Sequence, residues 1–179
     1  MDLLSAAPPP GGSFRDRVAH RPSPGLRIRY SCQNPITPVE PHAERAVLGV
    51  LRVLEDLGHH VEPGVSPAGS LEEFLPMFRF LAAKMFVPRE ALLQPATRHL
   101  RREGRAVTME TALAARELFR QRIDAWLADV HVYVTPTVPR DAPSVGSFAS
   151  VPPEELLGQV APYGAFTAPL NAAGNPAIS

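Results

Sequence analysis

The spacing of hydrophobic positions changes along the chain and predicts strands and helices in turn. From Leu26 to Tyr30 apolar and basic residues alternate, which is typical of a half-buried strand. From Pro41 to Leu57 apolar side chains recur every three or four positions, which predicts an amphipathic helix that Gly58 closes in a left-handed conformation. Another extended segment begins at His60. This strand–helix–strand order indicates an α/β fold.

Three further helices and a strand are predicted downstream. Ser70 and Glu73 form a capping box at the start of one helix, and a shorter helix follows over 91–102. Thr108 caps a long helix. Valines at every second position from Val130 to Val134 predict a strand, and the prolines of the last 45 residues predict mostly loop beyond it. The apolar face of the first of these helices comprises Phe74, Met77, Phe78, Leu81 and Met85.

Composition bounds the domain organisation and excludes several partners. The chain has 179 residues, and its proline- and glycine-rich residues 1–25 are interpreted as a linker or arm before one domain over 26–179. Basic and acidic residues number 18 each, so charge gives no reason to expect nucleic acid, and no apolar run is long enough to cross a membrane. A single cysteine, Cys32, excludes an internal disulfide, so we expect a cytoplasmic protein.

Isolated reactive residues are better explained structurally than as catalysts. Ser13 follows two glycines, but no glycine follows Ser13 directly. A nucleophile loop with an oxyanion site requires glycines on both sides of the serine. Lys84 lies at the edge of an apolar helix face, where its stem packs and its amine reaches water. The adjacent His59 and His60 point to opposite faces of an extended segment, and His131 stands alone in a strand. Because no group of His, Asp and Glu has metal-ligand spacing, we predict no metal site and no cofactor.

Two segments are harder to explain by structure alone. The first, DVHVYVTPTVP over 129–139, is a strand that a proline ends, leaving two hydroxyls at the strand end. Ligand pockets of α/β proteins form at such ends. The second, FTAPLNAAGNPAIS over 166–179, is predicted to be a fixed irregular turn before a strand that begins at Ala177. Each segment indicates a structured loop beside a cleft.

Taken in this order, the two segments resemble the C-terminal part of the amidase-signature family. That family has a strand ending in D-v-l-l-T-P-T-x-P, then a proline-rich excursion, then F-T-x-P-x-N-x-x-G-x-P-A-i-S. The resemblance covers roughly residues 14–179. The positions that match the two motifs are Asp129, Thr135, Pro136, Thr137, Pro139, Phe166, Thr167, Pro169, Asn171, Gly174, Pro176, Ala177 and Ser179.

The resemblance implies a fold and a chemistry. The implied fold is a partial amidase-signature α/β domain, with a mixed β-sheet flanked by helices and incomplete at both ends. In the family a serine attacks an amide carbonyl, a second serine bridges it to a lysine base, and backbone amides of a glycine-rich loop hold the oxyanion. Those residues lie upstream of the matched region, so no catalytic residue is expected in this chain. The resemblance implies instead one wall of the acyl pocket, with substrate contacts from Thr135, Thr137, Phe166, Thr167 and Asn171.

One departure from the family narrows the substrate. The glutaminyl- and glutamyl-tRNA amidotransferase A subunits resemble this region but have an acidic residue two positions before the F-T step, where this chain has Gly164. Without that acid the free amino group of glutamine would have no partner. The departure favours a general amidase, acting on a small or apolar small-molecule amide, over the tRNA branch.

Three interpretations stay open at this point. The leading one is a C-terminal piece of an amidase, inactive alone, whose unpaired sheet edges and uncovered apolar face predict poor solubility or dependence on a partner chain that supplies the catalytic residues. The alternative is a non-catalytic interaction module, or one subunit of a split amidase or amidotransferase A-like protein. The third is an unrelated hydrolase that uses Ser13 or Lys84.

Overall fold

The computed structural model describes residues 24–67 and 69–179, so nearly all of the predicted linker over 1–25 lies outside the described residues. The division into a linker and a domain therefore stays a prediction. No helix in the described ranges combines the length and apolar character that crossing a bilayer requires. The strands and helices are β1 (Arg27–Tyr30), α1 (Pro41–Asp56), β2 (His60–Pro63), α2 (Leu71–Lys84), α3 (Pro95–Gly104), α4 (Met109–Leu127), β3 (Val132–Val134), α5 (Leu156–Val160) and α6 (Thr167–Ala173).

The three strands form a parallel sheet in the order β2-β1-β3. Ile28 at its centre pairs with Val61 on one side and Val132 on the other, and is buried. Helices connect consecutive strands and return the chain to the same end of the sheet, so neighbouring strands run in one direction. The predicted α/β class is confirmed. The expected mixed sheet is, over the described residues, purely parallel.

Local signals set the bounds of α1. Pro41 lies in its first turn, where a missing N–H needs no partner, and Gly58 follows its end in the predicted left-handed conformation, with φ of 85°. Val47 and Leu51 are buried, whereas Val50 of the same predicted stripe is 53% exposed. A sheet of three strands is too narrow to cover the whole stripe.

Helices α2, α4 and α6 pack around a small aromatic core. Phe74 and Met77 of α2 are buried with Phe119 of α4, and the ring centroids of Phe74 and Phe119 are 4.2 Å apart. Ala168 and Ala172 of α6 pack against this cluster. The core therefore connects the helices of the β2–β3 crossover to the second motif segment.

Part of the predicted apolar face of α2 is uncovered. Phe78 and Leu81, which the periodicity placed in the buried face, are 40% and 65% exposed. Phe86 and Leu92, which follow α2 in the chain, are exposed still further. Large apolar side chains on a surface often mark contacts with another polypeptide.

Helix α3 packs closely on α2. It begins at Pro95, later than the predicted residue 91, because Glu90–Leu92 forms a separate 3-10 turn. Its last residue, Gly104, is buried, and a Cβ atom at that position would lie 1.8 Å from the carbonyl oxygen of Arg79. Only glycine allows the two backbones to approach so closely.

The two predicted helix caps have different outcomes. Thr108 caps α4 as expected, since its Oγ1 accepts a hydrogen bond from the Thr111 amide at 3.1 Å. Ser70 lies at the N-cap of α2, but its side chain makes no capping hydrogen bond, so the capping box was wrong in detail. The residue pattern therefore predicted where both helices begin, but only one of the two capping hydrogen bonds is present.

The segment over 166–179 differs most from its prediction. It forms the helix α6 in place of an irregular turn. Pro169 is compatible with this helix because it lies in the first turn, where no backbone N–H bond is needed. Gly174, with φ of 89°, ends α6. The strand expected from Ala177 is absent from the described residues, because no neighbouring strand pairs with the final segment.

Candidate functional site

A cavity of about 510 Å³ lies along β3, between that strand, α6 and the last five residues of the chain. Thr135, Thr137, Phe166 and Thr167, four of the five residues predicted to bind substrate, line it. The two motif segments therefore meet at one place, as a shared pocket requires. Contact between these residues and a substrate stays a prediction.

The first motif segment supplies two hydroxyl groups at the end of β3. Pro136 is buried directly after Thr135, so the chain turns out of the sheet there. Thr135 Oγ1 donates a hydrogen bond to the Pro136 carbonyl oxygen at 2.6 Å, which leaves its lone pairs free to accept from a ligand. Thr137 is exposed. This end of the cavity can therefore accept hydrogen bonds from a ligand.

The second motif segment supplies an apolar floor. Phe166, which lines the cavity, is only 2% exposed, and Ala165 just before it is equally buried but does not line the cavity. Asn34, in the loop after β1, donates from Nδ2 to the Ala165 carbonyl oxygen at 2.9 Å. This bond ties the segment to the end of the sheet and so fixes Phe166 just before α6 begins.

Asn171 is the one predicted binding residue that does not line the cavity. It is exposed on α6, and its proposed role stays a prediction. Asn175 lines the cavity in its place, and its amide shares the Leu170 carbonyl oxygen with the Gly174 amide, each at 3.0 Å. Within the described residues Asn175 Oδ1 is buried without a hydrogen-bond donor. Asn175 occupies a variable position of the motif, so the sequence did not indicate it as a site residue.

His131 also lines the cavity, although no sequence pattern selected it as a site residue. Its Nδ1 accepts a hydrogen bond from the Arg27 amide at 3.0 Å. A ring nitrogen that accepts carries no proton, so a neutral imidazole here keeps its proton on Nε2. The pairing joins residues more than a hundred positions apart, which no local pattern could have indicated.

The cavity is neutral in character. Among the residues described, no Asp, Glu, Lys or Arg side chain lines it. Tyr133 is one of the lining residues, and burial raises the pKa of its phenol. A ligand in this cavity would therefore meet hydroxyl, amide and apolar groups in place of ionic partners.

Arg29 on β1 anchors the turn that leads into β3. Its Nη1 and Nη2 donate to the two carboxylate oxygens of Asp129 at 3.1 and 3.0 Å, and its Nε donates to Glu62 at 2.8 Å. Nη1 also donates to the Trp126 carbonyl oxygen, and the guanidinium carbon lies 5.1 Å from the centroid of the Trp126 ring. These bonds hold the pKa of Asp129 below its usual range. Asp129 of the motif therefore positions β3.

The other sequence candidates within the described residues lie apart from the cavity. Ser13 is outside the described residues. Lys84 is exposed at the end of α2, with its Nζ 5.5 Å from the Phe80 ring centroid, as the packing interpretation predicts. His59 Nδ1 accepts from the Leu26 amide at 3.3 Å, which gives this imidazole a structural hydrogen bond.

One group of potential metal ligands comes together that the sequence did not predict. Glu40, His42 and Asp141 place one ligand atom each within 4.8 Å of one another, and all three are exposed. His42 Nδ1 lies 3.5 Å from Glu40, and its Nε2 lies 3.1 Å from Asp141. The carboxylates approach opposite ring nitrogens of His42, and exposed acidic groups of this kind are common without an ion. Glu40 and Asp141 are too distant in sequence for their spacing to suggest it.

Comparison with known proteins identifies the family. The profile of the family described as Amidase matches residues 2–179. Proteins named "Putative amidase AmiC" from Mycobacterium bovis and Mycobacterium tuberculosis are 27% identical over a 187-residue alignment that covers 96% of this chain. The same alignment covers 38% of those relatives, so the chain spans well under half of their length.

Solved structures have the same fold. A 6-aminohexanoate cyclic dimer hydrolase, solved with its substrate, superposes with a TM-score of 0.76 at 17% identity. The superposed region covers 96% of this chain and 41% of the hydrolase chain. A bacterial aryl acylamidase of the amidase-signature family superposes with a TM-score of 0.57 at 15% identity, covering 84% of this chain and 35% of its own. The match over nearly the whole sequence, with the fold and the two motif segments, places this chain in the amidase-signature family.

Proposed function

We propose that this chain forms one wall of the acyl pocket of an amidase that hydrolyses the carbon–nitrogen bond of small neutral amides. The nucleophilic serine, the bridging serine and the lysine base are then supplied by residues outside this sequence. The observation that carries the proposal is the meeting of Thr135, Thr137, Phe166 and Thr167 in one cavity. The chain has one lysine, Lys84, and it is exposed on α2 away from that cavity.

The cavity residues bind and orient the acyl part of the substrate in this proposal. The lone pairs of Thr135 Oγ1 accept the amide N–H, since its own proton is already donated to Pro136. Phe166 provides a buried apolar surface for the acyl chain. Fixing the carbonyl relative to an incoming serine lowers the entropic part of the barrier, which is the contribution a pocket wall makes to acyl transfer.

The absence of ionic partners supports a neutral substrate. No charged side chain of the described residues lines the cavity, so a free ammonium or carboxylate would lose its hydration without compensation. A Cβ atom at Gly164 would meet only Ala168 Cβ, at 3.9 Å, so a side chain would fit there sterically. The missing acid at this position agrees with a preference for amides that lack an amino group.

A complementation experiment tests the proposal. The chain is expressed alone and together with an upstream amidase segment that carries the glycine-rich loop, the two serines and the lysine. Both samples are assayed with neutral anilides and with glutamine. Hydrolysis of the anilides in the combined sample only is the expected result. Hydrolysis by the chain alone, abolished by Ser13→Ala, would contradict the proposal in favour of an unrelated hydrolase.

A substitution within the cavity sharpens the test. Thr135→Val keeps the side-chain volume and removes the hydrogen-bonding oxygen, so kcat/KM of the combined sample should fall about tenfold. Thr111→Val is the matched control, because Thr111 is exposed on α4 and lines no cavity described here. Equal kcat/KM values for the two variants would remove Thr135 from the pocket.

One observation favours the alternative of a non-catalytic interaction module. Phe86 and Leu92 are 89% and 79% exposed, more than a self-sufficient domain usually leaves uncovered. If the combined sample forms a stable complex without amide hydrolysis, the result favours a non-catalytic interaction module over an amidase. If the complex hydrolyses anilides, the exposed Phe86 and Leu92 are interpreted as contacts between the two parts of one enzyme.

A further inference from the structure

A second cavity, of about 460 Å³, lies between α2, α3 and residues 153–160. It shares no lining residue with the cavity along β3. Its volume falls within the range of small-molecule sites in proteins, roughly 300–1,000 Å³. Neither the family motifs nor the proposed amide hydrolysis gives it a role.

The walls of this cavity are mainly apolar. Leu71 and Leu75 of α2 face Leu100 of α3 across it, and Leu156 and Leu157 of α5 complete the lining from the third side. Water gains few hydrogen bonds in such surroundings, whereas an alkyl chain would remove apolar surface from solvent. The walls therefore suit the hydrocarbon part of a ligand.

One polar group in this cavity lacks a partner. Arg79 of α2 lines it, and within the described residues the Nε atom of Arg79 is buried without a hydrogen-bond acceptor. Its Nη2 lies 3.8 Å from a carboxylate oxygen of Glu103, too far for a good hydrogen bond. Because Nε itself is buried, a ligand oxygen would pair with it only as the partly exposed guanidinium turns towards the cavity. That pairing would recover part of the roughly 1–3 kcal/mol that an unpaired buried donor costs.

The geometry points to a small carboxylate with an apolar chain as the ligand of this cavity, with Arg79 as its counter-ion. A guanidinium binds carboxylate oxygens more strongly than neutral acceptors, because both partners are charged and the fork geometry matches. Glu154 and Glu155 also line the cavity but are exposed, so water screens their charges. The second carboxylate of a dicarboxylate would lie against the apolar walls without a counter-ion, so a monocarboxylate is favoured over a dicarboxylate.

Calorimetric titration of the full chain with octanoate tests this assignment, with octanol and octanedioate as comparison ligands. Octanoate should bind, and octanol and octanedioate should bind at least about tenfold more weakly. The ¹⁵N-labelled Arg79 Nε–H resonance should move on addition of octanoate. Absence of octanoate binding, or equal binding of octanol, would overturn the assignment.

Two variants and a control separate the Arg79 contact from nonspecific apolar binding. Arg79→Met keeps the stem and removes the charge, so octanoate affinity should fall about tenfold, and Ala96→Leu, which fills the cavity, should abolish binding. Arg98→Met is the matched control on α3, since Arg98 donates to the Ala91 carbonyl and does not line the cavity. Unchanged octanoate binding by Arg79→Met would disprove the role of Arg79. These results do not depend on amide hydrolysis, which is measured at the other cavity.

Discussion

Two mostly covered arginines, Arg29 beside the sheet and Arg79 in the α2–α3 helix pair, have guanidinium groups that are bonded very differently. Arg29 beside the sheet donates to Asp129, Glu62 and the Trp126 carbonyl oxygen. Arg79 between the helices has a buried Nε without an acceptor and only a distant carboxylate at Nη2. Their side chains are 14% and 34% exposed. Arg29 thus serves as an anchor of the sheet, whereas Arg79 keeps an unpaired donor between the helices.

The largest effect that distinguishes the two regions should come from Gly104→Ala. The new Cβ would lie 1.8 Å from the Arg79 carbonyl oxygen, so α3 must move away from α2. We expect a loss of about 3 kcal/mol or more in the free energy of unfolding, measured by urea denaturation. Gly49→Ala on α1, where nothing lies within 4 Å, is the control and should be neutral or slightly stabilising. A small loss at Gly104 would mean that the helices are packed less closely than described.

Removal of the hydrogen-bonded guanidinium of Arg29 should have the next largest effect on stability. Arg29→Met leaves the Trp126 carbonyl oxygen and two carboxylates without their donor, although Asp129 and Glu62 are half exposed and can be rehydrated. A loss of about 2 kcal/mol in the free energy of unfolding is expected, with Arg52→Met on the exposed side of α1 as a control within about 0.5 kcal/mol. Equal values for both variants would show that the Arg29 network does not stabilise the sheet.

Removal of the Arg79 guanidinium, whose Nε has no acceptor, should have almost no effect on stability. Arg79→Met eliminates a buried donor that has no acceptor, so the change in the free energy of unfolding should stay within about 0.5 kcal/mol, or be slightly favourable. The measurement is again the urea midpoint, without added carboxylate. A loss near that of Arg29→Met would mean that Arg79 is bonded within the fold, and the contrast between the two arginines would disappear.

Acid should produce only a modest effect, because the responsible carboxylates are exposed. Hydrogen bonds from Arg120 lower the pKa of Glu117 to about 2, and Arg29 lowers that of Asp129. Between the unfolded and folded pKa values the unfolded chain binds more protons, so stability rises with pH there. The urea midpoint should be constant between about pH 5 and about pH 8 and should fall as pH drops from about 4.5 towards 2. Asp129→Asn should reduce this fall, and Arg79→Met should leave it unchanged.

The sequence predicted the features that depend on neighbouring residues. Gly58 and Thr108 were identified correctly because a helix end is determined by hydrogen bonds within a few positions of it. The α/β class followed from periodicity for the same reason. The motif residues Thr135 and Phe166 were found by resemblance, and the structure brings them to one cavity.

The remaining features depend on contacts that no local pattern contains. Arg29 and Asp129 pair across a hundred positions, and neither has a neighbour in sequence that indicates the other. The helix α6 was mistaken for a turn because Pro169 and Gly174 are turn residues in most contexts, and only their places in the first turn and at the end make them compatible with a helix. Asn175 and Arg79 became candidates only when burial showed that each has a polar atom without a partner.

The parallel sheet also has a consequence for folding during synthesis. Ile28 of the central strand pairs with Val132, which is 104 positions later in the chain. At roughly 5–20 residues per second, a ribosome needs about 5–20 s to make the intervening segment. For that time the central strand has an unpaired edge, and closing such a long loop makes pairing slow once β3 is available. Chaperone demand should therefore be greatest before β3 emerges, and a synonymous slowdown upstream of Val132 should lower the soluble yield more than one downstream of it.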